Sequence, residues 1–160
     1  MGSEEREQAA GLFQRAYAAQ MAGRLEAAAE LYLQSIRLHP TAEAHTYLGW
    51  AWSFLGRVDD AIAECQKAIA VDPDFGNPYN DIGAYLIELG RHDEAVPWLK
   101  KAMTAARYEP RHYPHLNLAR VHLHRLDWAL AEQELRRTLE IAPDCEPARR
   151  ELGRLLARFN

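Results

Sequence analysis

The chain has 160 residues, 48% of them hydrophobic and 26% charged, with a formal net charge of −4. Such a composition is that of one ordinary globular domain. A net negative charge offers no general attraction to phosphate backbones or anionic lipid, so we expect no nucleic-acid partner. No stretch of 18 consecutive apolar residues occurs, so we expect no membrane insertion.

The two cysteines and the first residues bear on location. Cys65 and Cys145 lie far apart and form no C-x-x-C pair, which favours a reduced cytoplasmic protein over a disulfide framework or a zinc site. Met1-Gly2-Ser3 resembles the remnant of an expression vector. A periplasmic location therefore stays open if a native signal preceded this sequence.

Three series of residues recur along the chain in one phase, with a period close to 34 residues. A small residue stands at the same place in each unit, a glycine-arginine pair with a later alanine follows, and a proline closes three of the units. The small residues are Ala16, Gly49, Gly83, Ala119 and Gly153; the glycines are Gly23, Gly56 and Gly90, with the alanines Ala28, Ala61, Ala95 and Ala131; and the prolines are Pro40, Pro73 and Pro143.

Each series has a physical role in a pair of helices. Small residues let two helices approach closely, and a glycine just past a helix end supplies the left-handed conformation that often stops a helix. In the fourth unit Leu126 stands where glycine is expected. Pro78, Pro114 and Pro147 fall where a first helical turn tolerates a missing N–H. The sequence therefore predicts helix pairs with known ends.

Apolar residues within the units recur at intervals of three and four, which predicts helices and no strands. The stripe of Ala61, Ile62, Cys65, Ala68 and Ile69 shows this spacing, and we expect Cys65 to be buried. Two departures stand out in the third unit. Pro97 lies inside a predicted helix, and two additional residues lengthen the link near residues 105–112.

These marks together resemble the tetratricopeptide repeat, a unit of about 34 residues built from two antiparallel helices. The resemblance covers residues 9–41, 42–75, 76–111 and 112–145, followed by a capping helix at 146–160. It implies an all-α fold, a right-handed superhelical solenoid of antiparallel helix pairs that occupies residues 1–160 as one domain. It also implies that the first helices of the units line a concave groove that binds a partner.

The family's groove positions fall on aromatic residues at one end of this chain and on polar residues at the other. The aromatic positions suit an apolar anchor of a partner, although each aromatic taken alone could instead pack in the core, as we expect of Trp52 and Tyr85. The implied groove residues are Phe13, Gln14, Tyr17, Tyr47, Trp50, Phe54, Asn80, Asp81, Glu88, Asn117, Arg120 and His124.

The polar end resembles the family's clamp for a terminal carboxylate only in part. Asn117 and Arg120 are present and, with Asn80, are able to hydrogen-bond a peptide. The lysines of the clamp are missing, and Asp81 adds negative charge, which speaks against carboxylate binding. A solvated polar face is the alternative for these residues.

No motif for catalysis, cofactor binding or metal binding is found. His112, His115, His122 and His124 cluster in sequence, but no carboxylate or cysteine completes a tetrahedral ligand set. A phosphate-binding loop, a nucleophile elbow and a zinc-protease motif are all missing. We therefore expect no enzyme, no cofactor and no metal.

The sequence favours an adaptor that binds a protein or peptide partner in its groove. The alternative is a structural role, in which the chain associates with itself or with a larger assembly such as a bacterial secretion or pilus machine. Units three and four, with their longer link, resemble repeat proteins of pilus assembly. Arg149, Arg150, Arg154 and Arg158 form a basic strip on the last helix, which would solvate the cap or dock an acidic partner.

Overall fold

The computed structural model describes residues 2–160, and these residues form nine α-helices. Their bounds are α1 Gly2–Met21, α2 Leu25–Leu38, α3 Ala42–Phe54, α4 Val58–Val71, α5 Asn77–Glu88, α6 His92–Thr104, α7 Tyr113–His124, α8 Trp128–Ile141 and α9 Glu146–Arg158. Extended pairing within the described residues is limited to one isolated bridge between Phe75 and Arg107. The expectation of an all-α chain is confirmed.

The helices pack as consecutive pairs that stack into a tetratricopeptide-like solenoid. The most extensive contacts are made within the pairs α1–α2, α3–α4, α5–α6 and α7–α8, and each pair then packs on the next through α2–α3, α4–α5 and α6–α7. Direct contacts also join α1 to α3, α3 to α5 and α5 to α7. The first helices of the pairs therefore form one continuous face.

The turns inside the helix pairs use a left-handed residue, as the sequence predicts. Gly23, Gly56 and Gly90 have φ angles of +79°, +81° and +77°. In the fourth pair Leu126 takes the same conformation with a φ of +63°. The fourth turn therefore has the same geometry although leucine replaces glycine, and the left-handed conformation is unfavourable for leucine.

The predicted small residues lie where the two helices of a pair cross. A Cβ atom added to Gly83 would lie 2.7 Å from Cγ of Leu99, and one added to Gly49 would lie 3.0 Å from the carbonyl oxygen of Ala61. The expectation was wrong for Gly153, where an added Cβ would meet nothing within 4 Å. Gly153 carries the same sequence mark, but no described helix packs on that side of α9.

Apolar side chains form core clusters that run along the stack. Tyr85 and Cys65 are buried in the cluster around the second and third pairs, as expected, and burial raises the pKa of the Cys65 thiol. Trp52 packs against this cluster and also against the cluster of the first pair. It therefore joins two consecutive repeats, as a core residue of a solenoid does.

Two segments differ from the plain repeat. Helix α1 begins at Gly2, ahead of the predicted start of the first unit at Ala9, and is the longest helix at 20 residues. The link between α6 and α7 extends from Ala105 to His112, where the sequence predicts an irregular segment. Pro97 lies inside α6, which continues on both sides of it.

Candidate partner-binding groove

Aromatic side chains of α1 and α3 form a continuous row on the face of the first helices. Ring centroids are 5.3 Å apart for Phe13 and Tyr47, 5.9 Å for Tyr17 and Tyr47, 5.9 Å for Tyr47 and Trp50, and 5.6 Å for Trp50 and Phe54. Tyr17 and Phe54 are exposed, whereas the other three are partly buried. The structure thus brings together all five aromatic residues that the sequence assigns to the groove, and we call them the aromatic row.

Tyr32 supports the aromatic row from α2 and was missed at the sequence level. Its ring stacks on Tyr47 at 6.2 Å, and its hydroxyl donates a hydrogen bond of 2.7 Å to Oε1 of Gln20. Burial, and then the neighbouring Tyr47 and Tyr17, raise the pKa of Tyr32. Tyr32 lies on the buried face of α2, with Ala28 and Ser35, and this spacing of three and four residues is the signal that identifies it.

The polar residues of α5 and α7 form a hydrogen-bonded chain. Nη1 of Arg120 donates to Oδ1 of Asn117 at 2.8 Å, and Nδ2 of Asn117 donates to Oδ1 of Asn80 at 2.9 Å. Both amides are buried, whereas Arg120 is exposed. The Asn117 amide therefore hydrogen-bonds through both its oxygen and its nitrogen, and Arg120 is the exposed member of this hydrogen-bonded chain.

A cavity of about 470 Å³ lies between the aromatic row and this polar chain. Its lining comes from α3, α5, α7, the α6–α7 link and the start of α9. The lining residues are Thr46, Tyr47, Trp50, Asn77, Asn80, Asp81, Ala84, Tyr108, Pro110, Tyr113, Leu116, Asn117, Arg120 and Pro147. Six of the twelve residues assigned to the groove from sequence line this one cavity, which is of the size of a small ligand pocket.

The α6–α7 link reaches the cavity because Arg107 fixes it to the turn between α4 and α5. The backbone N–H of Arg107 donates to the carbonyl oxygen of Asp74 at 3.0 Å, and its carbonyl oxygen accepts from the N–H of Gly76 at 2.8 Å. Its guanidinium donates to Glu43 at 2.9 Å and to Asp72 at 2.5 Å. The next residue in the chain, Tyr108, is thereby held against the cavity.

Asp81 lines this cavity from α5. Burial raises the pKa of its carboxyl group to about 7, and the neighbouring Asn80 amide only partly opposes this rise. After burial itself, Asp81 is the largest contributor to the raised pKa values of Tyr85 and Tyr108, and it also contributes at Tyr47. Of these three tyrosines, Tyr47 and Tyr108 line the cavity together with Asp81.

Other residues that the sequence places on the groove face do not line this cavity. Phe13 and Gln14 border a second, more apolar cavity of about 310 Å³ between α1 and the ends of α2 and α3. His124 stacks on His92 of α6, with ring centroids 3.8 Å apart, and does not line either cavity. Glu88 ends α5 as an exposed residue.

Three of the four histidines in α7 and just before it, His112, His115 and His124, make separate contacts. Nδ1 of His115 lies 2.7 Å from Oε2 of Glu134, and the ring of His112 lies against Tyr113. Across residues 2–160 no three His, Cys, Asp or Glu side chains come together as a metal-binding group. Over the same residues, every helix is too short or too polar to cross a membrane.

A stack of helix pairs with a cavity on the face of its first helices defines a helical-repeat protein of the kind that binds proteins or peptides. Tetratricopeptide repeat family models match residues 13–78 and residues 74–144. The chain belongs to the tetratricopeptide repeat family. Proteins of this family typically act as non-enzymatic scaffolds that bind protein or peptide partners.

A curated relative is the small glutamine-rich tetratricopeptide repeat-containing protein 2 of Mycosarcoma maydis. It is 35% identical over 78 residues, which are 48% of this chain and 22% of the relative. The chain spans less than a third of the length of the curated relatives it matches. This likeness therefore concerns the repeats alone.

Solved structures of other repeat proteins share the fold. Pseudomonas aeruginosa pilF superimposes with a TM-score of 0.88 at 24% identity, covering 98% of this chain and 70% of pilF. PilW, a type IV pilus biogenesis factor, gives 0.84 at 23% identity, covering 92% and 68%. YrrB, described as having an unusual peptide-binding site, gives 0.71 at 16% identity, covering 89% and 73%. At these identities the likeness establishes the fold.

Proposed function

We propose that this protein is a non-enzymatic adaptor that binds an extended or helical segment of a partner protein along the face formed by α1, α3, α5 and α7. The observation that carries the proposal is the continuity of the aromatic row with the cavity of about 470 Å³, since Tyr47 and Trp50 belong to both. Large aromatic side chains beside a cavity supply the desolvated anchors that dominate protein binding energy.

The hydrogen-bonded polar residues at the other side of the cavity would set the orientation of a bound segment. Arg120 is exposed and is held at one nitrogen by Asn117, so its remaining N–H groups are available to partner carbonyl oxygens. An apolar anchor on the aromatic row and a hydrogen bond to Arg120 would fix a segment in one orientation. The peptide-binding site described for YrrB is consistent with this use of the fold.

The test compares partner capture by the parent protein and by a Tyr47→Ala/Trp50→Ala variant, using a lysate of the source organism and mass spectrometry. Trp98→Ala is the matched control, because Trp98 is also partly buried but lies on α6 and pairs with Tyr79, away from the cavity. A partner retained by the parent and the control but lost by the groove variant, and then shown by calorimetry to bind directly, supports the proposal. Equal capture by all three folded proteins contradicts it.

A second candidate function is structural assembly through the C-terminal end. Trp128, Leu156 and Phe159 border a cavity of about 290 Å³ beside α9, and Phe159 is 61% exposed. Exposed apolar residues gathered at one end of a solenoid are typical of a surface that stacks on another chain. PilW is described as a pilus biogenesis factor, which accords with a role in a larger assembly.

Sedimentation velocity distinguishes this second candidate from the first. Self-association that weakens in a Leu156→Ser/Phe159→Ser variant, while groove binding is kept, would support assembly through α9. A parent protein that remains monomeric at high concentration would remove the self-associating form of this candidate.

A further inference from the structure

Asp81 is an acidic side chain that lines the proposed binding groove and makes no ion pair with another described residue. The ion pairs found among residues 2–160 do not include it. Its side chain is only partly exposed and lines the cavity between the aromatic row and the α6–α7 link. Burial without a cation disfavours the ionised form of the carboxyl group, and a cation brought by a partner would favour it.

The surroundings of Asp81 suit a cation from outside the chain. Tyr47 and Trp50 line the cavity from α3, and Tyr108 and Tyr113 line it from the α6–α7 link and the start of α7. Aromatic faces attract guanidinium and ammonium groups, and they do so most strongly where water is excluded. A guanidinium is also planar, so it stacks on a ring while it donates two parallel hydrogen bonds to a carboxylate.

The cation of the cavity itself, Arg120, does not fulfil this role. Arg120 lines the same cavity but directs Nη1 to Asn117, at 2.8 Å, and makes no ion pair with Asp81. The two charges therefore stand apart within one cavity. A partner segment that carries a cationic side chain, followed by a backbone carbonyl group, would meet Asp81 with the first and Arg120 with the second.

We propose that the cavity is a specificity pocket for an arginine side chain of the partner segment, with Asp81 as the residue that binds its guanidinium and the flanking aromatic rings as the walls. The proposal rests on the proposed function of the groove and names the chemistry that the groove selects. It predicts a preference for basic segments and a low affinity for segments with an acidic residue at this position.

The experiment uses two blocked pentapeptides, acetyl-Ala-Ala-Arg-Ala-Ala-amide and the same peptide with citrulline in place of arginine. Citrulline keeps the length and planarity of arginine but carries no charge. Titrations followed by NMR of the isotope-labelled full chain should show the arginine peptide binding at least about tenfold more tightly, with the largest shifts at Trp50, Asp81 and Tyr108. The Asp81→Asn variant should lose this difference.

Asp81→Asn also distinguishes a loss of the binding site from unfolding of the protein. Because no ion pair among the described residues compensates the burial of the Asp81 carboxyl group, its neutral isostere should unfold at the same temperature as the parent or at a higher one. A variant that is at least as stable but no longer distinguishes arginine from citrulline supports the proposal. Equal binding of the two peptides to the parent, or an undiminished arginine preference in Asp81→Asn, overturns it.

The two proposals fail in different ways. If the arginine preference is missing but partner capture still depends on Tyr47 and Trp50, the groove function stands and the assignment of Asp81 is wrong. If partner capture is also independent of Tyr47 and Trp50, the proposed function itself is wrong.

Discussion

Gly76 and Tyr108 are in such close contact that an added Cβ atom on Gly76 would lie 2.6 Å from the Cβ atom of Tyr108. Gly76 precedes α5, and Tyr108 belongs to the link between α6 and α7. A distance of this kind is shorter than atoms in a folded protein tolerate, and the atom concerned is adjacent to the backbone of Tyr108. The close approach of these two residues therefore sets the position of one cavity wall.

We expect Gly76→Ala to move the α6–α7 link and to lower the stability of the folded protein. The φ of Gly76 is −79°, which alanine adopts readily, so the effect would come from the contact with Tyr108 and not from backbone strain. Overpacking of this kind lowers the free energy of unfolding by about 1–3 kcal/mol. Urea denaturation measures this loss, and partner binding should weaken with it.

Gly153→Ala is the matched control for this substitution. Gly153 is exposed inside α9, and an added Cβ atom would meet nothing within 4 Å. Alanine is favoured over glycine in a helix interior, so this variant should gain about 0.5–1 kcal/mol. A loss of stability equal to that of Gly76→Ala would show that the close contact is not responsible.

We also expect Gly83→Leu to destabilise the chain through the crossing of α5 and α6. Even an added Cβ atom would lie 2.7 Å from Cγ of Leu99, a fully buried side chain. The free energy of unfolding should fall by at least about 1–3 kcal/mol. A combined Gly83→Ala/Leu99→Val variant should have a free energy of unfolding closer to that of the parent than Gly83→Ala alone, because the smaller valine side chain relieves the contact. Strictly additive losses of stability in urea denaturation would contradict this explanation.

The repeat phase and the aromatic row could be predicted because both depend on local spacing. Gly49 and Gly83 recur at a fixed interval and face a partner helix in their own pair, so the sequence marks are enough. The same mark misleads at Gly153, where no described helix packs beside the glycine. A small residue allows another helix to pack closely at that position, but only the structure shows whether a helix does so.

The link that brings Tyr108 to the cavity could not be placed from the sequence, although its position in the chain was expected. Its attachment depends on Arg107, whose ion-pair partners Glu43 and Asp72 lie 64 and 35 residues away. A repeat of about 34 residues carries no signal for contacts that occur once. Likewise, the lack of an ion pair at Asp81 among the described residues depends on how the groove packs and not on any single helix.

Leu126→Gly should stabilise the protein. Leu126 has a φ of +63° and is 63% exposed, so the substitution relieves an unfavourable backbone conformation and removes little buried surface. The left-handed conformation disfavours a leucine by about 1–2 kcal/mol, and the greater freedom of glycine in the unfolded chain offsets part of this. We expect a gain of about 0.5–1 kcal/mol in thermal or urea unfolding.

Leu89→Gly provides the comparison for Leu126→Gly. Leu89 is also an exposed leucine at the end of a first helix, but its φ is −78°. A glycine there relieves no strain and adds freedom to the unfolded chain, so it should destabilise. If both variants shift the unfolding midpoint in the same direction, backbone strain at Leu126 is not the cause.

The buried contact between His45 and Glu64 should make stability sensitive to acid. Nδ1 of His45 lies 2.6 Å from Oε1 of Glu64, and Lys67 donates to Oε2 of the same carboxylate at 3.2 Å. Burial on its own would raise the pKa of Glu64, but the hydrogen bonds from His45 and Lys67 outweigh it, and the pKa is lowered. An acid whose pKa is lowered by folding stabilises the folded state above its unfolded pKa, about 4.3.

Glu64→Gln should therefore lower the free energy of unfolding at pH 7 by about 1–3 kcal/mol. This difference from the parent should become smaller as the pH falls below about 4.3 and through the lowered pKa of Glu64. Urea denaturation at a series of pH values measures both effects. Glu134→Gln is the matched control, because the pair of His115 and Glu134 has the same spacing in α7 and α8 but is more exposed, with 18% of each side chain accessible. Water screens and replaces a contact of that kind, so its loss should be smaller. Equal losses for the two variants, or a difference at Glu64 that persists in acid, would contradict a role for burial in this pair.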